Sequence, residues 1–138
     1  MVNLGEGVLT LSVFNGKPYG GESAVIPLKM LLYLRALAFV QGMTLRALYE
    51  DCASRFLAEM PWTNSLKWRD GGRPKSVDSG WMRVDVRIPR DLADCLEDVA
   101  RREGVGLADV LYTMLFWYSW VLYPPLHEQE RRKKMQGG

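Results

Sequence analysis

Arg83, Asp85 and Arg87 alternate with Met82, Val84, Val86 and Ile88, and Pro89 closes the run. Strict alternation marks a half-buried strand, here with three charges on one face and apolar side chains on the other. The net charge of +2 hides a pattern. Segment 63–83 holds Lys67, Arg69, Arg73, Lys75 and Arg83, and the tail holds Arg131, Arg132, Lys133 and Lys134, whereas residues 84–126 carry four basic residues against seven acidic ones. Cationic arms of this kind fit contact with phosphate; a solvated linker and tail is the plainer alternative. Catalysis is poorly provided for. His127 is the one histidine and follows Pro124-Pro125 in a polar tail, and no GxSxG, phosphate loop or HExxH occurs. Glu50-Asp51 and Glu97-Asp98 read as solvent-facing helix charges. No enzyme activity and no cofactor are expected.

The elements that must position these residues repeat. Residues 26–57 lie over 88–119 with a shift of 62, no gap and six identities in 32. Ile26-Pro27 falls on Ile88-Pro89, Leu34 on Leu96, Ala38 on Ala100, Gly42 on Gly104 and Leu45 on Leu107. The identities fall on a strand end, two helix faces and a glycine break, in the same order. A unit this short cannot bury its own apolar face, so two copies imply mutual burial in one fold.

Within the first copy, Ser23–Ile26 reads as a short strand ended by Pro27, Leu28–Gln41 as a helix stopped by Gly42, and Leu45–Met60 as a helix capped by Thr44. In the second, the strand runs over Met82–Ile88, and helices over Arg90–Glu103 and Leu107–Tyr123. Ahead of both, Val8–Phe14 alternates and Asn15-Gly16 signals a hairpin turn, with Gly20-Gly21 as a break. The expected layout is one domain: an N-terminal extension to residue 20, a first unit over 21–61, a basic linker over 62–80, a second unit over 81–125 and a disordered basic tail over 126–138. Cys52 and Cys95 sit in helical patterns as small apolar residues, with no CxxC and no histidine cluster; a reducing cytoplasm and no metal are expected. Met1–Gly7 lacks a basic start before an apolar run, so no signal peptide is expected.

Strand, proline, helix, glycine and capped helix, in that order and twice, resembles the ribbon-helix-helix DNA-binding family of the MetJ/Arc type. The stretch Met82–Tyr123 resembles it most, and Ser23–Leu57 is similar. The resemblance implies a mainly α fold with a short two-stranded antiparallel ribbon. Family members normally dimerise, so two copies in one chain imply a tandem ribbon-helix-helix pseudo-dimer, like single-chain factors of conjugative-transfer and virulence plasmids. The implied partner is double-stranded DNA, the ribbon entering the major groove.

The resemblance also implies a site. The outward strand positions two, four and six residues before the proline are Arg87, Asp85 and Arg83 in the second copy and Val25, Ser23 and Gly21 in the first. Arginine matches guanine O6 and N7, aspartate accepts from cytosine N4, and valine or serine meets a thymine methyl or an acceptor. Glu22 falls on an inward position. The second helix of each unit is implied to seat a phosphate on its free N–H groups: Thr44, Leu45 and Arg46 in the first copy, Gly106 and Leu107 in the second, where Asp109 disfavours an anion. A protein-interaction module on a degenerate scaffold of the same kind stays open beside the DNA-binding reading.

Two apolar faces are surplus to the repeat. Leu32, Tyr33, Phe39 and Val40 stand where the second copy has Asp94, Cys95, Arg101 and Arg102. Tyr112, Phe116, Trp120 and Tyr123 form a second stripe on the last helix, expected to be covered by Val8–Phe14, by the Trp62–Trp68 segment, by self-association or by a protein partner. A membrane span is not expected, because the apolar run is short and the helix already serves the repeat.

Overall fold

In the computed structural model, which describes residues 12–14, 17–72 and 80–137, the centre of the chain is an antiparallel ribbon. Strand β2 (Lys17–Pro27) pairs with β3 (Trp81–Pro89), Tyr19 opposite Pro89 and Pro27 opposite Trp81. A short β1 (Ser12–Phe14) pairs with β2, Phe14 opposite Lys17, giving the sheet order β1-β2-β3. Residues 8–11 and Asn15-Gly16 of the expected N-terminal hairpin lie outside the described residues.

Strand β2 is longer than expected because Gly20-Gly21 does not break it. Gly21 has φ 118°, and a Cβ there would come 2.1 Å from the Val86 carbonyl oxygen. A Cβ on Gly20 would meet Ala93 and Arg90 at 3.0 Å. The glycines therefore admit close neighbours rather than ending the strand. Glu22, inward by parity, is exposed just after this distortion, and Met82 at the far end of the ribbon is exposed as well.

Each strand passes through its proline into a helix pair. α1 (Leu28–Val40) and α2 (Leu45–Glu59) follow β2; α3 (Arg90–Glu103) and α4 (Leu107–Phe116) follow β3. Ala24, Ile26, Val84, Val86 and Ile88 form the buried face of the ribbon, under Leu34, Leu48 and Phe56 from the first pair and Leu96, Leu111 and Tyr118 from the second. Each large side chain so buried contributes roughly 1.5–3 kcal/mol. Residues sixty-two apart meet at two places: Ser23 lies opposite Asp85 in the ribbon, and the Cys52 thiol donates to the Met114 carbonyl at 3.4 Å between α2 and α4. Cys52 is buried as expected, but Cys95 is exposed.

Three expectations are corrected beyond α2. The last helix of the second unit is α-helical only to Phe116 and continues as a π-helix over Trp117–Leu122, with the Tyr123 N–H donating to the Tyr118 carbonyl. The tail is not disordered: α5 spans Leu126–Gly137. Its charge run conceals Glu128, which is buried and bonded by Arg131 and Arg132, while Arg132 also donates to the Trp120 carbonyl. The linker is not a loose arm over 62–72. After a 3-10 turn at Pro61–Thr63, Trp62 and Trp68 stack on each other and pack against Phe56, Trp68 edge-on. Arg69 N–H then donates to Thr113 Oγ1, and Gly71 N–H donates to Asp109 Oδ1. Among the described residues no single helix is long and apolar enough to cross a membrane.

Candidate nucleic-acid interface

The six strand residues singled out from the sequence form three cross-strand pairs on one face: Val25 with Arg83, Ser23 with Asp85, and Gly21 with Arg87. They are not equally available. Arg87 Nε bonds Asp85, and its Nη1 reaches across the ribbon to the Gly21 carbonyl at 3.2 Å. That guanidinium is therefore oriented, with part of its donor fork still open. Arg83 is exposed and has no ion-pair or hydrogen-bond partner among the described residues. Val25 is only 6% exposed, and its N–H donates to the Gly71 carbonyl at 2.9 Å. It has no surface to offer a base, because the linker, unseen in a strand-parity argument, lies along that edge of β2.

The two helix starts also differ. At α2 the Thr44 hydroxyl accepts from the Ala47 N–H at 3.0 Å, and Arg46 stacks over the Tyr19 ring with 4.9 Å to its centroid. At α4 the Asp109 carboxylate accepts from Gly106 N–H at 3.0 Å and from Gly71 N–H at 2.9 Å. The Gly106 N–H, expected with that of Leu107 to turn toward a phosphate, thus faces a carboxylate held by the linker. A fixed negative charge there opposes a second anion.

Flanking the ribbon are two depressions that the repeat relates to one another. The first, of about 260 Å³, is lined by Leu31, Arg35, Leu45, Tyr49, Met82, Arg83, Val84 and Asp85. The second, of about 420 Å³, is lined by Gly21, Glu22, Glu97, Ala100, Arg101, Val105 and Leu107. Arg35 is equivalent to Glu97, Arg83 to Gly21, Val84 to Glu22 and Leu45 to Leu107. The first shoulder is thus basic, and the second offers two carboxylates, with Arg101 paired to Asp98.

Tyr49 completes the basic shoulder. It is 5% exposed, and its hydroxyl has no hydrogen-bond partner among the described residues. Burial pushes its pKa up to about 12 against the opposing pull of Arg35, so the hydroxyl remains a donor at neutral pH. The Arg35 guanidinium and the Tyr49 phenol, beside the outward-facing Arg83, suit a phosphate oxygen. Sequence reading passed over Arg35 and Tyr49 because each looks like an ordinary helix residue. The signal that would have found them is the change of charge between equivalent positions, Arg35 against Glu97.

The aromatic stripe separates into parts. Tyr112 is buried against Gly71 and the edge of Trp81, Phe116 is half-buried under Arg69, and Trp120 is 37% exposed. Trp62 and Trp68, expected as its cover, pack on Phe56 instead, and Trp117 closes the other side of Phe56. Tyr123 faces elsewhere, packed on Tyr118. On the surplus face of α1, Tyr33 is half-buried, whereas Phe39 is 85% exposed and Leu32 and Val40 are also exposed. Comparison of the chain with family models, with curated proteins and with solved structures finds no match.

Proposed function

We propose that the chain is a DNA-binding protein that lays the β2–β3 ribbon in the major groove of double-stranded DNA. Its two strand–helix–helix units act as a ribbon-helix-helix pseudo-dimer within one chain. The observation that carries this reading is the meeting of repeat-equivalent residues at two separate places, Ser23 with Asp85 and Cys52 with Met114. Equivalent residues face each other where an approximate two-fold axis passes, and a ribbon on such an axis has the symmetry of a groove reader. Arg83, Arg87, Asp85 and Ser23 would meet base edges. Arg35, Tyr49, Arg46 and the start of α2 would hold the backbone on one side. A role in transcription regulation or in transfer of plasmid or mobile-element DNA, in the cytoplasm and without catalysis, fits a small reader of this kind.

A protein-interaction module is the second reading, favoured by the acidic shoulder at Glu22 and Glu97 and by the exposed Leu32, Phe39 and Val40. Selection of bound sequences from random duplex DNA separates the two. Enrichment of a common site by the parent, lost in Arg83→Ala with Arg87→Ala, is the expected result. Absence of any enriched site favours the interaction module.

A further inference from the structure

A cleft of about 560 Å³ opens between α1, the linker, α4 with its π continuation, and the start of α5. That volume lies in the range of small-molecule sites. Its walls are aromatic: Tyr33 from α1, Tyr112 and Phe116 from α4, and Trp120 from the π segment. Tyr33 is fixed by donating its hydroxyl to the Tyr123 carbonyl. A π turn in an α-helix widens the local helix and often marks a functional site; this one sets Trp120 at the cleft.

Its charge is one-sided. Lys29 and Arg69 line the cleft, and no aspartate or glutamate is among its described lining residues. The Arg69 guanidinium lies 3.5 Å from the Phe116 ring centroid, and its backbone is pinned by the Thr113 hydroxyl. It makes no ion pair among the described residues. A cation on an aromatic wall, with a pinned backbone and no counter-ion among the described residues, asks for an anion attached to a flat apolar body.

We infer that this cleft binds a small aromatic carboxylate, its ring against Phe116 and Trp120 and its carboxylate on Arg69. The Tyr112–Phe116–Trp120 stripe then forms the wall of a concave site rather than a ridge for another protein. This assignment is independent of the DNA-binding reading, because none of its groups belongs to the outward ribbon face or the basic shoulder.

Calorimetric titration with 2-naphthoate tests it, with 2-naphthamide as the neutral molecule of matching shape. One saturable site for naphthoate is expected, with naphthamide weaker by about tenfold or more, the worth of one charge-assisted pair. Arg69→Gln, a change at an exposed side chain, should weaken naphthoate about tenfold and leave naphthamide unchanged. Trp120→Ala should weaken both probes. Equal affinity for the two probes, unaltered naphthoate binding in Arg69→Gln, or no saturation at millimolar probe overturns the proposal.

Discussion

The shoulder beside α2 carries Arg35, Arg83 and Asp85 with a Tyr49 hydroxyl that has no hydrogen-bond partner among the described residues, whereas the equivalent shoulder beside α4 carries Glu97, Glu22 and Arg101. The edges of the ribbon follow the same division. Gly71 is hydrogen-bonded along β2 and held by Asp109 at the start of α4, whereas α2 starts with a threonine cap and an arginine. The positions that fill the shared core are apolar in both units, because each unit supplies half of it. Their surface charges differ, because surface charge constrains folding little and ligand binding strongly. In the reading proposed above, one copy anchors the DNA backbone and the other serves as framework, so the site on DNA should be asymmetric.

The largest expected effect comes from making the two shoulders alike. Arg35→Glu with Arg83→Glu should lower affinity for selected DNA by about a hundredfold at moderate salt, since two contacts are lost and repulsion is added. The converse change, Glu97→Arg, should steepen the dependence of log affinity on log salt by about one unit. Fluorescence anisotropy across a salt series measures both. If the two variants match the parent, the shoulders have no part in DNA binding.

The covered edge gives the next effect. A Cβ on Gly71 would lie 2.3 Å from the Ala108 carbonyl oxygen and 2.7 Å from Tyr112 Cβ, both in the packed interior. Gly71→Val should therefore cost about 1–3 kcal/mol or more in urea unfolding. A Cβ on the neighbouring Gly72 would sit in ordinary contact, 3.6 Å from Ala108 Cβ, and Gly72→Ala should be near neutral. Equal midpoints for the two variants would show that the linker is not docked on α4.

These contrasts also mark how far the sequence could be read. The repeat was legible because strand, proline and glycine stops recur at a fixed shift, and Ala24, Ile26, Val84, Val86 and Ile88 face one core as the alternation implies. The cover over Val25 was not legible, since it depends on a glycine forty-six residues away in a segment without periodicity. Helix α5 was hidden because a charged run suggests disorder until one of its carboxylates is seen to be buried. The Asp51–Tyr118 hydrogen bond at 2.8 Å, which joins α2 to the π segment, likewise links positions that no local pattern connects.

Tyr49→Phe sharpens the comparison on a smaller scale. It removes the hydroxyl and makes the basic shoulder resemble its counterpart, where the equivalent residue is Leu111. DNA affinity should fall by about 0.5–1.5 kcal/mol, the usual net worth of one hydrogen bond, while the unfolding midpoint should hold or rise because no partner among the described residues is lost. A drop in stability without a drop in affinity would assign the hydroxyl to the fold.

The smallest effect concerns α5, which follows only the second copy. Hydrogen bonding from Arg131, with a further contribution from Arg132, holds the Glu128 carboxyl down to about 2, below its ordinary 4.5. A carboxyl depressed in the folded state stabilises above its unfolded value, and that contribution is lost as pH falls through the folded one. Helicity should therefore fall as pH drops from about 4.5 toward 2, and Glu128→Gln should lack this step. Circular dichroism across that window reports it, and an unchanged acid limb in Glu128→Gln would detach α5 from this carboxylate.

Ethylation interference on the selected DNA site tests one-sided anchoring most directly. Interfering phosphates should cluster on one side of the site's centre, and Arg35→Ala with Tyr49→Phe should remove them while the base contacts of Arg87 persist. Interference distributed equally about the centre, or unaltered in that variant, would contradict it.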